Sequence, residues 1–263
     1  MNRRLYEFGI GRRTIADAVI AFALVLLIGP LQAVAAEIIN IQFQSPGPWN
    51  PSGPAYTGAG LIGGADDKWN HLTNGSGSDF LLSNSAGLQT GTSVSWTGTD
   101  LFSSGNGFSS QSESALMHSY LYASGSNTIT FSNLPGKSYN LFIYTQGDYD
   151  GVGRQLVVTV NGQSQTSAKM DPSASTFISG QNYLEFSGNI DTNTPGVLLI
   201  TYSAIGTSGG GVWPNPEADI NGIQLSSLAP EPSTYVLMGI GGIVIALRFK
   251  KRYLSIIGIK AGK

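Results

Sequence analysis

Hydrophobic and polar positions alternate with a period of two along much of the chain between residues 37 and 228. Short segments of this kind, separated by Gly-, Ser-, Asn- and Pro-rich turns, are typical of β-strands. They cover residues 37–44, 88–98, 127–134, 137–147, 154–162, 163–170, 182–189, 196–204 and 218–228. One helical turn within 113–122 is the only helical candidate of this region. Eight or nine strands without helical crossovers predict an all-β, antiparallel β-sandwich of the jelly-roll type.

The inward positions of these strands predict a single hydrophobic core, and residues 37–228 are expected to fold alone as one β-domain. The predicted core residues are Ile41, Phe43, Phe131, Leu141, Ile143, Val158, Val160, Leu198, Ile200 and Ile223. The segment 154–162 ends on Asn161-Gly162, a dipeptide that favours the tight turn of a β-hairpin.

The N-terminus has a different pattern, in which a basic stretch precedes an uncharged apolar run at Ala18–Gly29. An A-x-A site follows at Ala33–Ala35, so residues 1–36 are interpreted as a signal peptide that is cleaved after Ala35 or Ala36. An uncleaved membrane anchor is the alternative. The pair Arg12-Arg13 permits a twin-arginine signal, but the residues after it favour general secretion.

The C-terminus combines a turn, an apolar run and a basic cluster. Pro230-Glu231-Pro232 and Ser233 precede the uncharged run Tyr235–Leu247, and Arg248, Lys250, Lys251 and Arg252 follow it. As a helix the run would span about 20 Å, so the flanking residues must extend it to cross a bilayer core of about 30 Å. We expect a short transmembrane helix with its basic end in the cytoplasm. A simple tail anchor and a buried helix are the alternatives.

Charge is sparse and segregated along the chain. Only 11% of residues are charged, whereas about a quarter is typical. Residues 37–230 hold four basic residues against thirteen acidic ones, so this body would repel a phosphate backbone and nucleic acid is not an expected partner. The chain has no Cys, which excludes disulfides and Cys-based catalysis or metal binding.

The three-part C-terminus resembles the PEP-CTERM sorting signal, with the signature tripeptide in "APEPS" (229–233). The resemblance implies that residues 229–252 are recognised by an exosortase after passage through the export machinery. Residues 253–263 continue beyond the usual end of such a signal and are expected to form a short cytoplasmic tail. It also implies a Gram-negative, exopolysaccharide- or biofilm-producing bacterium, and a place in the cell envelope, at the cell surface or in the extracellular matrix.

The body carries a second resemblance, in the order "YLYASGSNTITFSNLPGKSYNLFIYTQGD", "GRQLVVTVNG" and "ADINGIQL". This block is similar to β-sandwich modules of exported bacterial proteins, which resemble galactose-binding-like or carbohydrate-binding jelly rolls. The resemblance implies a fold more than an activity.

Enzymatic chemistry finds little support in the residues. The segment 206–210 has the spacing G-x-S-x-G, but a loop follows it instead of the helix that a nucleophile elbow requires. His71 and His118 have no motif partners. The carboxylate pairs, at Asp66/Asp67, Asp148/Asp150 and Glu217/Asp219, have no catalytic signature, so no catalytic residue is assigned.

Two kinds of binding residue remain as candidates. Trp69 and Trp213 lie in Gly-rich loops and are placed to stack on a sugar, although a loop Trp can equally close the end of a sandwich. Asp148 and Asp150, in "GDYDGVG", are candidates for ligand contact and for a calcium site, the one cofactor that the sequence leaves open. Trp96 lies in a predicted strand and is assigned to the core.

Taken together, the residues predict an exported, non-enzymatic surface protein with a structural or adhesive role. Carbohydrate binding, to a polysaccharide, is the form of that role that they favour most. The alternative is a secreted polysaccharide-active hydrolase on the same fold.

Overall fold

The computed structural model of the chain describes residues 37–45, 55–103, 105–135, 138–148, 154–187, 194–205 and 216–227. The predicted signal peptide and the predicted sorting tail lie outside these ranges. Residues 36–228 form one compact unit. Within the described residues, no helix combines the length and the apolar character needed to cross a membrane.

The described residues form fourteen strands and two helical turns. The strands are β1 (Ile38–Phe43), β2 (Asn70–Leu72), β3 (Gly77–Ser83), β4 (Gln89–Trp96), β5 (Asp100–Ser103), β6 (Ser119–Ser124), β7 (Asn127–Ser132), β8 (Tyr139–Tyr144), β9 (Gln155–Val160), β10 (Gln163–Thr166), β11 (Tyr183–Phe186), β12 (Leu198–Ile205), β13 (Glu217–Ile220) and β14 (Gly222–Ser227). The turns are a 3₁₀ helix (Gly107–Ser110) and α1 (Ser114–Met117). The all-β prediction is confirmed for this part of the chain.

The strands assemble into three sheets. The order is β11-β8-β14-β1-β2 in a five-stranded sheet, β10-β9-β12-β7-β4-β3 in a six-stranded sheet, and β13-β6-β5 in a small one. Apart from the parallel pair β1–β2, all of these neighbours are antiparallel. The antiparallel prediction is therefore confirmed, and the jelly-roll assignment stays a prediction.

The five-stranded and six-stranded sheets enclose one hydrophobic core. Alternate residues of β7, β9 and β12 point into it, as their buried and half-buried positions alternate. All ten core residues that the sequence predicts are buried there, together with Trp96. Burying each large apolar side chain contributes about 1.5–3 kcal/mol, and this shared core holds the two sheets together.

The hairpin between β9 and β10 confirms the prediction made from Asn161-Gly162. Both residues have positive φ, 47° for Asn161 and 83° for Gly162. This is the type I′ geometry whose twist matches that of the flanking strands. Val160 then pairs with Gln163 across the turn.

Two segments differ from the prediction. Residues 218–228 are not one strand, because the chain leaves the small sheet after β13 and enters the five-stranded sheet as β14. At the break, the Asn221 side chain donates to the carbonyls of Met117 and Ser119, at 2.8 and 3.0 Å, which anchors the change of direction. Residues 113–122 hold a helical turn, as expected, but they then continue directly into β6. The strands β2, β3 and β5 were not expected.

The two large sheets differ in their outer faces. Loops from residues 55–69, 105–118 and 171–183 cover the outer face of the five-stranded sheet. They form a second apolar cluster with Tyr144 of β8, and its other members are Tyr56, Trp69, Phe108, Leu116 and Met117. The outward residues of β7, β9 and β12 on the six-stranded sheet are half-buried or exposed.

Candidate ligand site at the Arg154 cluster

Arg154 lies immediately before β9 and forms two ion pairs with β13. Its Nη1 lies 3.1 Å from Asp219 Oδ2 and its Nη2 lies 3.3 Å from Glu217 Oε2. Arg154 is 3% exposed and Asp219 is 1% exposed. Removing one partner from a buried pair leaves an uncompensated charge, at a cost of about 3–5 kcal/mol. This pair therefore fixes the position of both strands at this end of the sandwich.

The ion pairs also join two segments that the sequence singles out. Arg154 directly follows residues 149–153, and Glu217 follows residues 206–215 after a single intervening Pro216. The Arg154–Glu217 contact thus joins the two described residues that follow these segments in the sequence. Asp150 and Trp213 themselves lie outside the described residues.

Asp219 is a perturbed acid. Burial raises its pKa to about 7, against the opposing effect of the Arg154 guanidinium, and Glu217 and Asp148 raise it further. For Arg154, burial works against the charged form, but Asp219 and Glu217 together raise its pKa above the ordinary value. The cluster therefore holds a permanent cation beside a buried carboxyl group whose pKa is raised towards neutral pH.

Tyr120 of β6 lies in the same electrostatic environment. Burial raises the pKa of its phenol well above the ordinary value, and the charges of Asp219 and Asp148 raise it further. Tyr120 consequently stays neutral. Its response to both carboxylates indicates that Asp148, which is half-buried, belongs to the cluster.

Four buried polar atoms of this region have no hydrogen-bond partner within the part of the chain that the structure describes. They are Gln146 Oε1, Asp148 Oδ1, Asp219 Oδ1 and Arg154 Nε. Buried polar atoms are nearly always paired, and leaving one unpaired costs about 1–3 kcal/mol. The three oxygens can accept and Arg154 Nε donates, so the cluster has more unpaired acceptors than donors when Asp219 is ionised, and sugar hydroxyls are donors of the kind that would pair with them.

The backbone around these atoms is tightly held. Gln146 donates its backbone N–H to Asn221 Oδ1 at 2.5 Å, and its side-chain Nε2 donates to the Asp171 carbonyl at 3.0 Å. A Cβ on Gly147 would lie 2.5 Å from Asp219 Oδ2, so this position accepts only glycine without displacing the ion pair. The cluster is therefore preorganised by its surroundings.

Trp69 is buried and does not form an open platform for a ligand. It is 6% exposed, its indole N–H donates to the Gly58 carbonyl at 2.9 Å, and its ring packs edge-on against Tyr56. This geometry is the one expected of a Trp that closes the end of the sandwich. Among the predicted ligand residues only Asp148 is placed in the Arg154 cluster, since Trp213 and Asp150 are outside the described ranges.

The described residues give no direct support for a metal site. Among the described residues, no group of three or more His, Asp or Glu side chains is arranged to hold a metal ion. The predicted calcium site depends on Asp150 as well as Asp148, so it stays a prediction.

Both histidines are half-buried and contact neighbouring polar side chains. His71 Nδ1 lies 2.9 Å from Gln42 Oε1, under the covering loops. His118 Nε2 lies 3.1 Å from Ser109 Oγ, and its Nδ1 lies 3.5 Å from Ser114 Oγ. Burial lowers the pKa of both imidazoles. The Ser109–His118 contact was not predicted, because nothing in the spacing of the two residues signals it.

Comparison with known proteins adds one firm result. Residues 228–252 match the family model described as the PEP-CTERM protein-sorting motif. This match confirms the resemblance seen in the sequence, and the chain carries this motif at its C-terminus. Among curated proteins, none matches the chain in sequence.

Three solved structures are similar to parts of the chain. A calcium binding mutant of beta-glucuronidase 2 from Bacteroides uniformis is 11% identical with a TM-score of 0.37, and the match covers 61% of this chain and 20% of that one. TmCBM61, in complex with beta-1,4-galactotriose, is 14% identical with a TM-score of 0.26, and the match covers 51% and 86%. Arabinofuranosyltransferase AftD from Mycobacteria is 13% identical with a TM-score of 0.26, and the match covers 56% and 13%.

The chain thus spans about a fifth of the length of the glucuronidase that it matches. All three TM-scores lie below the level at which a shared fold is inferred, so neither an activity nor a ligand is transferred from these proteins.

Proposed function

We propose that the chain is a non-catalytic bacterial surface protein whose β-domain holds polysaccharide in a structural or adhesive role. The PEP-CTERM motif indicates export to the cell envelope or surface and processing by an exosortase. A Gram-negative host, a biofilm or exopolysaccharide matrix and the binding of carbohydrate are the finer parts of the proposal.

The Arg154 cluster is the observation that carries the carbohydrate part. Its ion pair joins Arg154 and Glu217, which in the sequence flank residues 149–153 and, after Pro216, residues 206–215, and three of its buried acceptor atoms have no partner among the described residues. Sugar hydroxyls are donors of the kind that these acceptors lack, and Trp213, in the sequence segment before Pro216, is the candidate stacking residue.

The charge of the body limits the choice of polymer. With four basic residues against thirteen acidic ones between 37 and 230, and with Arg154 occupied by two carboxylates, an anionic polysaccharide would find only three Lys side chains as cationic partners. A neutral polymer fits without help, whereas an acidic one requires a bridging cation such as calcium at Asp148 and Asp150.

The test is retention of the full-length protein, in detergent micelles, by the exopolysaccharide of its host, with calcium and with a chelator. Trp213→Ala and Asp148→Asn are expected to weaken retention. Asp171→Asn is the matched control, because Asp171 is an exposed acid whose carboxylate accepts only from nearby Ser173. No retention by any polysaccharide, or equal retention by all four proteins, would refute carbohydrate binding through these loops.

The polysaccharide-active hydrolase is the alternative, and the Ser109–His118 contact is the one observation that favours it. However, Ser109 Oγ donates to the Asn106 carbonyl at 2.6 Å, so its proton is not directed at His118. Glu217 and Asp219 both bind Arg154 rather than facing one another across a groove. Release of new reducing ends from the polysaccharide, abolished by His118→Gln, would establish the hydrolase instead.

Exosortase processing has its own test. The protein is expressed in its host with and without the exosortase, and the mass of the mature C-terminus is measured. A C-terminus shortened near Pro230 only when the enzyme is present is the expected result. An unchanged full-length C-terminus in both strains would contradict the role of the motif.

A further inference from the structure

We infer that the outer face of the six-stranded sheet is a docking surface for an extended, uncharged polysaccharide chain. This inference rests on the proposed function and assigns it a second, larger surface. The surface consists of the outward residues of β4, β7, β9, β10 and β12, and is called the open face.

A row of hydroxyl side chains crosses the open face. Strand register pairs Ser164 with Thr159, Thr159 with Thr201, and Thr201 with Thr128. Thr97 extends the row, because its backbone N–H donates to the Thr128 carbonyl at 2.9 Å. Neighbouring strands lie about 4.8 Å apart, so a polymer that crosses the strands meets one hydroxyl per strand.

The central hydroxyls of the row are available to a ligand. Thr159 and Ser164 hydroxyls contact each other at 2.6 Å, but within the described residues the Thr128 and Thr201 hydroxyls make no side-chain hydrogen bond. Each can donate and accept, which matches the hydroxyls of a sugar. A second row, Leu199–Thr130–Ser95, lies beside the first.

Charge identifies the class of polymer. The five strands of the open face contain no Asp, Glu, Lys or Arg, although the body as a whole is acidic. An ionic polymer would lose hydration without gaining an opposite charge. A neutral chain has no charge to desolvate, so the absence of charge on these strands favours an uncharged polysaccharide.

Exposed apolar side chains make the same face suitable for sugar rings. Leu199 is 45% exposed and Ile205 is 46% exposed, both on β12, and Leu81 on neighbouring β3, which pairs with Ser93, is 54% exposed. These are three of the seven large exposed apolar residues in the described part of the chain. Such groupings mark interaction surfaces, and pyranose rings present apolar faces of their own.

A second copy of the chain is the competing occupant, and the composition of the face disfavours it. The centres of protein interfaces are enriched in Tyr, Trp, Phe, Met and Arg. The outward positions of the five strands carry none of these, because Trp96, Phe131 and Tyr202 all point into the core. Many weak hydroxyl and methyl contacts repeated along a polymer would instead bind it through multivalency.

The experiment measures retention of the full-length protein, in detergent micelles, in gels that contain soluble neutral β-glucan, galactan or xyloglucan, or acidic alginate. The first variant is Thr128→Lys/Thr201→Lys, which places charge in the middle of the row. The second is Thr128→Val/Thr201→Val, which preserves shape and removes only the hydroxyls. Thr73→Lys, an exposed change directly after β2 of the other sheet, is the matched control.

Retention by at least one neutral polymer is expected, and the Lys variant should weaken it about tenfold or more, the Val variant less, and the control not at all. If the Lys variant fails to fold, the Val variant decides alone. If the wild type is retained and neither folded variant changes that retention, the inference is overturned and the proposed function stands. Retention by alginate alone would have the same meaning.

No retention by any of these polymers would overturn the inference, whereas the proposed function is decided separately by retention on the exopolysaccharide of the host. Sedimentation measurements on the same proteins address the second copy. A wild-type dimer that the Lys variant converts to a monomer, with unchanged retention, would assign the open face to self-association and overturn the inference.

Discussion

The two large sheets share one core but differ in what lies on their outer faces. On the five-stranded sheet, the polar residues Asn40, Gln42 and Gln224 point outward and are nevertheless fully buried. On the six-stranded sheet, Thr128 and Thr201 occupy equivalent outward positions and remain accessible to solvent. A polar residue on the outer face of a strand is therefore not by itself a sign of either solvent exposure or ligand binding.

The covered face is held by an amide network. Gln224 Nε2 donates to Asn40 Oδ1 at 2.8 Å and to the Ile62 carbonyl at 3.0 Å, while its Oε1 accepts from the Ile62 N–H and from the Tyr144 hydroxyl. Gln42 binds the covering loop of residues 105–118, because its Nε2 donates to the Ala115 carbonyl at 2.6 Å. These side chains act as a fixed internal frame, whereas those of the open face have no such partners to hold them.

The largest expected difference between the two faces concerns their aromatic residues. Trp69→Ala removes a buried ring beneath the covering loops and should lower the free energy of unfolding by about 3–5 kcal/mol. Phe80→Ala, at the edge of the six-stranded sheet, removes a ring that is 40% exposed and should lower the free energy of unfolding by about 1 kcal/mol. Denaturant titration of both variants measures this difference, and equal losses would contradict the contrast between the faces.

The amide network gives the next largest effect. Gln224→Leu leaves buried groups of Asn40, Ile62 and Tyr144 without a partner and should destabilise the domain by about 2–3 kcal/mol. Gln165→Leu is the control, since Gln165 on β10 makes one exposed bond, from Nε2 to the Glu185 carbonyl. That change should stay within about 0.5–1 kcal/mol. A larger loss for Gln165 than for Gln224 would show that the network does not support the covering loops.

A third difference is in pH dependence, because the five strands of the open face contain no Asp, Glu, His, Lys or Arg. The folded pKa of Asp219 is raised to about 7, above the unfolded value of about 3.9. The unfolded chain therefore loses this proton first, and the Asp219 contribution to stability falls as pH rises from about 4 to 7.

The comparison of wild type with Asp219→Asn isolates this effect from His71 and His118. Their lowered pKa values act in the opposite direction, and they are present in both proteins. Relative to wild type, the variant should gain stability with rising pH, by about 3 kcal/mol across that interval. Unfolding curves at pH 4, 5.5 and 7 measure it, and parallel profiles would contradict the assignment.

The smallest expected effect is on the open face itself. Thr128→Val and Thr201→Val replace an accessible hydroxyl with a methyl group on strands that favour β-branched residues. The free energy of unfolding should change by no more than about 0.5 kcal/mol. Thermal unfolding measures this change, and a loss above 2 kcal/mol would mean that these hydroxyls have a structural role.

Much of the fold could be predicted from the sequence because its strands show strong alternation of apolar and polar residues. The core positions Phe131, Val158 and Ile200 follow from that period alone. The break at Asn221 could not be predicted, since alternation continues through it and only contacts with Met117 and Ser119 turn the chain. The strands β3 and β6 were missed because one is exposed at a sheet edge and the other follows a helical turn.

The candidate ligand site could be predicted from the sequence less well than the fold. Arg154 and Asp219 are 65 residues apart, and no local motif links them. A signal did exist, because Arg154 is the only Arg between residues 37 and 230 and Asp219 interrupts an apolar strand. A buried partner for such an acid was to be expected. The burial of Trp69 has no such signal, since loop composition does not reveal whether an indole faces outward or closes the sandwich.

The most direct test of the account is hydroxyl-radical footprinting of the full-length protein, with and without a retained neutral polysaccharide. Leu199 on the open face and Ile178 in a loop on the covered side are 45% and 43% exposed, so they form a matched pair. The account predicts that the polymer lowers oxidation of Leu199 and leaves Ile178 unchanged. Protection of Ile178 with none at Leu199 would contradict it.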